Sequence, residues 1–286
     1  MQIKDIVQEL ELVAPAAFQE SYDNAGLIVG SEEWTCTGII CSLDATEEVV
    51  LEAKAAGCNL VVSHHPIIFN GLKKLNGKNY VEKTIISAIK NDIAIFAIHT
   101  NLDNVINGVS DTMAIKLGLQ NKKVLLPKAG LISKKYPPIE GIDSPEISLN
   151  DDNQQVGSGL IADLPEEMEE NGFLQMLQTS FNLQVIRHSP LLGKPIKKVA
   201  VCGGAGSFLI NEAIAAGADI FITSDLKYHD FFDADDRILL ADIGHWESEQ
   251  FTIGLLIDIL QAKFPTFAVL KSVIKTNPVN YFLKED

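Results

Sequence analysis

The 286 residues carry a formal net charge of −15, with 47% hydrophobic and 21% charged residues. That balance belongs to a globular protein with room for one large or two modest α/β domains, and it excludes a basic surface held on nucleic acid by counterion release. No apolar run reaches membrane-spanning length, and Met1-Gln2-Ile3-Lys4-Asp5 has no basic stretch leading into an apolar one, so a cytoplasmic protein without a signal peptide is expected.

Apolar residues at helical spacing predict a first helix over Ile3 to Val13, stopped by Pro15. A polar turn, Tyr22-Asp23-Asn24-Ala25-Gly26, leads into a short strand. Gly38 to Leu43 reads as a strand ending at Asp44. Thr46-Glu47-Glu48 then opens a helix that runs to Ala56 and stops at Gly57. The run Asn59-Leu60-Val61-Val62-Ser63-His64-His65-Pro66 fits a buried parallel strand broken off by its proline. A helix over Thr84 to Lys90 and a strand over Ile93 to Ile98 lead to His99-Thr100-Asn101-Leu102-Asp103, and Asp111 to Leu117 is helical again.

Lys128 to Gly159 loses all period and reads as an irregular linker. A helix over Met168 to Phe181 and a short run near His188 follow it. The α/β pattern then resumes with strand Val199–Cys202, turn Gly203-Gly204-Ala205-Gly206 and helix Phe208 to Ala216. Strands over Ile220 to Thr223 and Ile238 to Ala241 precede a helix from about His245 to Leu260, and Phe267 to Ile274 can form a last strand. The four cysteines, Cys36, Cys41, Cys58 and Cys202, have no metal-site spacing and read as buried reduced thiols.

The two ends of the chain echo each other. Glu52 to Ser63 aligns without a gap to Glu212 to Thr223, each copy being helix, glycine stop, strand and polar cluster. The expected fold is therefore α/β, with two similar halves related by internal duplication and a metal site at the carboxyl ends of their strands. The halves are residues 1–127 and 159–286, with 128–158 as the linker.

Strand carboxyl ends are where open α/β sheets bind ligands. His64 and His65 end one strand; as neighbours on a strand they diverge and can serve two ions. Asp103 follows another. His245 and Glu249, four apart at a helix start, share one face, whereas Glu247 points away. Three imidazoles and two carboxylates are too many for one tetrahedral zinc and suit two ions bridged by a carboxylate. This ligand set admits zinc, iron, manganese or cobalt. His99 and His229 stand beside ligand strands as candidates for orienting ligands or moving protons, or as hydrogen-bonded structural histidines. The Gly203–Gly206 run is either a phosphate cradle or a tight turn.

Ser63-His64-His65-Pro66, His99-Thr100-Asn101-Leu102-Asp103, Gly203-Gly204-Ala205-Gly206-Ser207 and Gly244-His245-x-Glu247-x-Glu249 resemble the NGG-interacting-factor-three-like dinuclear-metal proteins. Their bacterial members are known as GTP cyclohydrolase type 2 homologues. Tyr22-Asp23-Asn24-x-Gly26-Leu27 and Lys227-x-His229 also match. The resemblance implies that His64, His65, Asp103, His245 and Glu249 hold two divalent ions, with Glu249 bridging, in a toroidal homohexamer. It also implies that this chain lacks the ferredoxin-like domain that longer members insert between the halves. The expected function is a two-metal hydrolase acting on a nucleotide, by opening of the GTP purine ring, or on a phosphoester. The alternative is a non-catalytic metal-binding scaffold or regulatory protein acting through its ring.

Overall fold

The computed structural model describes residues 1–134 and 153–283. The chain forms two compact α/β units, each with its own sheet.

The first unit begins with α1 (Ile3–Val13), whose Ile3, Ile6, Leu10 and Val13 are buried. It continues through β1 (Gly26–Val29), β2 (Ile39–Asp44), α2 (Glu47–Ala55), β3 (Leu60–His65), α3 (Tyr80–Lys90), β4 (Ala94–Ala97) and α4 (Thr100–Asp103). The Thr46 hydroxyl caps α2 by accepting from Val49 N. α3 starts earlier than its periodicity suggests because Asn79 caps it, accepting from Glu82 N at 2.9 Å.

The second unit follows with α5 (Val109–Lys116), β5 (Gln120–Lys134), β6 (Asn153–Met168), α6 (Glu170–Phe181), β7 (Arg187–His188), β8 (Ile196–Ala205), α7 (Ile210–Ala215), β9 (Ile220–Ser224), β10 (Leu239–Asp242) and α8 (His245–Glu249). The chain then returns to the first unit with α9 (Thr252–Lys263) and β11 (Val269–Lys271).

The first sheet has the order β1-β4-β3-β2-β11, parallel except at β1. The second has the order β5-β6-β8-β9-β10-β7, with β8, β9 and β10 parallel. Both faces of these parallel strands are buried. Val199, Ile220 and Leu239 join one apolar cluster, while Ala200, Phe221 and Leu240 join another. That double burial explains why the strands read as continuous apolar runs rather than alternating ones. All four cysteines are buried thiols.

Three expectations need correction. The last helix and strand belong to the first unit, not to a C-terminal half running to residue 286, and the first unit's continuous part ends at Asn104 rather than 127. The expected helix from His245 to Leu260 is broken after Glu249, because Gln250 and Phe251 stay with the second unit. Gln250 Nε2 donates to Phe181 O at 3.1 Å, and the Phe251 ring packs on Phe181 at 5.5 Å. The described ends of the expected linker are paired strands: Lys134 faces Asn153 and Leu126 faces Ser158 in an antiparallel ladder. Its irregularity at Pro127 to Ile132, where Gly130 takes φ +76°, hides the alternation. The middle of that segment, 135–152, lies outside the described residues.

Candidate metal centre

In the first unit, three imidazoles meet where β3 and β4 end. His64, His65 and His99 each offer a ligand atom within 4.8 Å of the others. Their ring centroids are 4.9 to 5.3 Å apart. The His64 and His65 rings are tilted to one another by 48°, and Ser63 Oγ donates to His65 O at 2.8 Å where the strand stops before Pro66.

Each ring is held by Nδ1. His64 Nδ1 donates to Ile98 O at 2.9 Å, His65 Nδ1 to Asp44 Oδ1 at 2.8 Å, and His99 Nδ1 to Asp23 Oδ1 at 2.8 Å. With the proton fixed on Nδ1, Nε2 becomes the ring atom able to take a cation. Asp23 also accepts from Thr100 N at 3.0 Å and from the Thr100 hydroxyl. Burial pushes its carboxyl up, but the bonds from His99 and Thr100 outweigh that and hold it at about 2.

Asp103 closes the short helix α4, with its Oδ1 3.5 Å from His64 Nε2. Buried Asn101 pins the helix start, accepting from His99 N at 2.9 Å and donating to Ala14 O at 2.7 Å.

In the second unit, His245 opens α8 and Glu249 closes it one turn later. His245 Nε2 stands 3.2 Å from Glu249 Oε2, and Glu249 is buried. Here too a carboxylate takes the other ring nitrogen, Nδ1 donating to Asp225 Oδ2 at 2.7 Å. Burial disfavours charge on this ring. Asp225 and Glu249 outweigh it and raise its pKa to about 11, while the His245 bond lowers that of Asp225. The two carboxylates thus give this site a negative charge that favours a cation.

Glu247 faces elsewhere. Its Oε1 accepts from Asn277 Nδ2 at 3.1 Å, and it hydrogen-bonds the Tyr281 hydroxyl. The glycine run packs behind Glu249: a Cβ on Gly204, at φ +63°, would lie 2.4 Å from Glu249 Oε1. Gly203 N and Gly204 N donate to Ser110 Oγ and Ser248 Oγ at 3.4 and 3.0 Å, so these two amides serve a tight turn. Asp242, at the end of β10, accepts from Leu226 N and Gly244 N at 2.9 and 3.0 Å and pairs with Arg187, which fixes the loops beside α8.

His229 lies on the exposed surface against Tyr228 and Phe232, with ring centroids 5.2 and 6.2 Å away. The carboxylates behind the rings, Asp44 and Asp225, were not singled out from sequence as site residues; their signal was an aspartate at or just past a strand end. Asp23 looked like ordinary turn chemistry.

These donors fit a divalent cation. The imidazoles present Nε2, their Nδ1 protons are held by acceptors, and the neighbouring carboxylates supply negative charge.

Comparison with known proteins gives a consistent picture. A family model described as Duf34/NIF3 (NGG1p interacting factor 3) matches residues 1–278. A Clostridium perfringens protein named GTP cyclohydrolase 1 type 2 homolog is 35% identical over 250 residues, covering 87% of each chain. A crystal structure of a Staphylococcus aureus protein superposes with a TM-score of 0.85 at 29% identity, and one of a Bacillus cereus protein related to NIF3 with 0.86 at 27%; each covers 99% of both chains.

Proposed function

We propose that this chain, which belongs to the Duf34/NIF3 family, is a metal-dependent hydrolase of nucleotides or phosphoesters. His64, His65 and Asp103 of the first unit and His245 and Glu249 of the second are its ligands to two divalent ions, Glu249 bridging them. The observation that carries this reading is the anchoring of His64, His65 and His245 through Nδ1, which leaves Nε2 as the ring atom that can take a cation. The name shared by relatives, GTP cyclohydrolase 1 type 2 homolog, supports a nucleotide substrate.

When bound, two such ions lower the pKa of a water and polarise the substrate. The protein's own part is to orient the ligands and to carry a proton. His99 is the proton carrier we assign: with Nδ1 on Asp23, its Nε2 accepts a proton and the Asp23 carboxylate stabilises the resulting imidazolium. His229, on the open surface, is assigned no step. The working form in this reading is a homohexameric ring.

Elemental analysis of protein purified without added metal or chelator tests the ligand assignment, with two divalent ions per chain expected. Turnover of GTP and of a phosphoester panel, lost on chelation and regained on reloading, tests the chemistry. Protein that holds no divalent ion would overturn the reading. Protein that holds metal and turns over nothing would replace the hydrolase with a metal-binding scaffold.

A further inference from the structure

The segment after β11 reaches the candidate centre from behind. β11 pairs in parallel with β2, Val269 beside Ile39 and Lys271 beside Cys41, and Ser272 N extends the ladder to Cys41 O at 2.9 Å. Running in the direction of β2, the chain arrives where β2 ends, at Asp44. It is tied down on the way: the Ser272 hydroxyl donates to Glu52 Oε2 at 2.5 Å, and Val273 N donates to Glu52 Oε1 at 2.8 Å. Thr276 then donates its hydroxyl to Asp44 Oδ2. The other oxygen of that carboxylate holds His65 Nδ1. The next residue, Asn277, donates to Glu247 on α8, and Tyr281 hydrogen-bonds the same carboxylate.

We infer that residues 272–277 form a positioning strap for the metal ligands, with Thr276 orienting His65 through Asp44. A carboxylate with a hydrogen bond at each oxygen is restricted in its rotation about the Cβ–Cγ bond. Held at both, it presents Oδ1 to the imidazole in one orientation and keeps the ring proton on Nδ1. Thr276 touches neither metal nor substrate in this scheme; it acts through Asp44. The inference rests on the metal-centre reading and deepens it.

The test uses the full chain as wild type, Thr276→Val and Thr276→Ser. Valine keeps the shape and removes the donor, while serine keeps the donor. In the metal-free proteins, the nitrogen chemical shifts of the His65 ring report where its proton sits. Wild type and Thr276→Ser should show Nδ1–H, and Thr276→Val a mixture of tautomers. Titration with cobalt(II), followed by its visible absorption, should show affinity about 10-fold or more lower for Thr276→Val with an altered band shape, and serine within about 2-fold of wild type. The melting temperatures of the three metal-free proteins should agree within a few degrees.

Wild type that binds no cobalt would overturn the metal centre, and the tautomer measurement would still decide the strap. Thr276→Val with a wild-type His65 tautomer, or with wild-type cobalt affinity and spectrum, would overturn the strap and leave the centre standing. A serine variant no better than valine would also count against it, since the hydroxyl is what the inference requires.

Discussion

The parallel cores of the two units are laid out alike, and they differ past the strand ends. In the first, Ile39, Leu60 and Ala94 lie side by side on β2, β3 and β4; in the second, Val199, Ile220 and Leu239 do so on β8, β9 and β10. The helix before the middle strand ends in the same way in both. Gly57 and Gly217 take φ +72° and +75°, and Cys58 N and Ala218 N return to Ala53 O and Ala213 O at 2.9 and 3.0 Å. Past the strand end the roles are exchanged. His65 ends β3 and leans on a carboxylate from the neighbouring strand, Asp44. Its counterpart after β9 is Asp225, which instead supports an imidazole arriving from α8, His245. In both units a histidine and an aspartate meet at this edge, and which element supplies which is exchanged.

The sharpest way to break this comparison is at the ligands. Glu249→Gln removes one of the two carboxylates beside His245 and, on the proposed bridging role, leaves two cations poorly neutralised. Metal content should fall by at least one ion per chain and hydrolysis with it, a larger effect than the ~10–100-fold typical of residues that only orient ligands. Glu247→Gln should keep both ions, because Glu247 faces Asn277 and Tyr281. The reverse pattern in elemental analysis would reassign the bridge.

Next come the supporting carboxylates. Asp44→Asn and Asp225→Asn each replace an acceptor with an amide that can present N–H to the ring and favour the wrong tautomer. Metal affinity should fall by ~10–100-fold in each and by similar factors in the two, if the exchanged pairs are functionally alike. A variant of either position with unchanged affinity by calorimetry would break the equivalence.

The smallest effects should come from the matched glycines. Gly57→Ala and Gly217→Ala place a Cβ in open space at nearly equal positive φ, so each should cost ~1 kcal/mol of stability without changing metal affinity. Gly204→Ala has a similar φ, yet its Cβ would meet Glu249 Oε1, and it should lower metal affinity as well. Denaturant melts paired with metal titrations separate the two classes.

Much of the core was legible in the sequence because buried parallel strands announce themselves as short apolar runs. The ends of β3 at His65 and β10 at Asp242, and the polar stretch His99 to Asp103 that follows β4, stand out as abrupt changes from apolar to polar residues. The α8 register was legible too, since positions four apart share a helical face, and His245 and Glu249 do meet. Other features had no local signature. Nothing around Val269 says that its strand pairs with Ile39, because the partner lies more than two hundred residues away. The β5–β6 ladder was hidden by its bulge at Pro127 to Ile132 and by an outer stretch without alternation. Asp23, Asp44 and Asp225 read as turn and strand-end residues; only tertiary structure reveals which imidazole each one faces.

The return of α9 and β11 to the first unit has a consequence for how the protein is made. Until residues 269–271 exist, β2 is an edge strand with Ile39, Ile40 and Cys41 exposing an apolar ladder. Ribosomes add about 5–20 residues per second, so that edge waits on the order of ten seconds after residue 104 has been synthesised. Most of the second unit is complete during the same interval. The nascent first unit is therefore exposed to pairing with the wrong strand during that interval, and the docking of β11 on β2 is the event that ends the exposure.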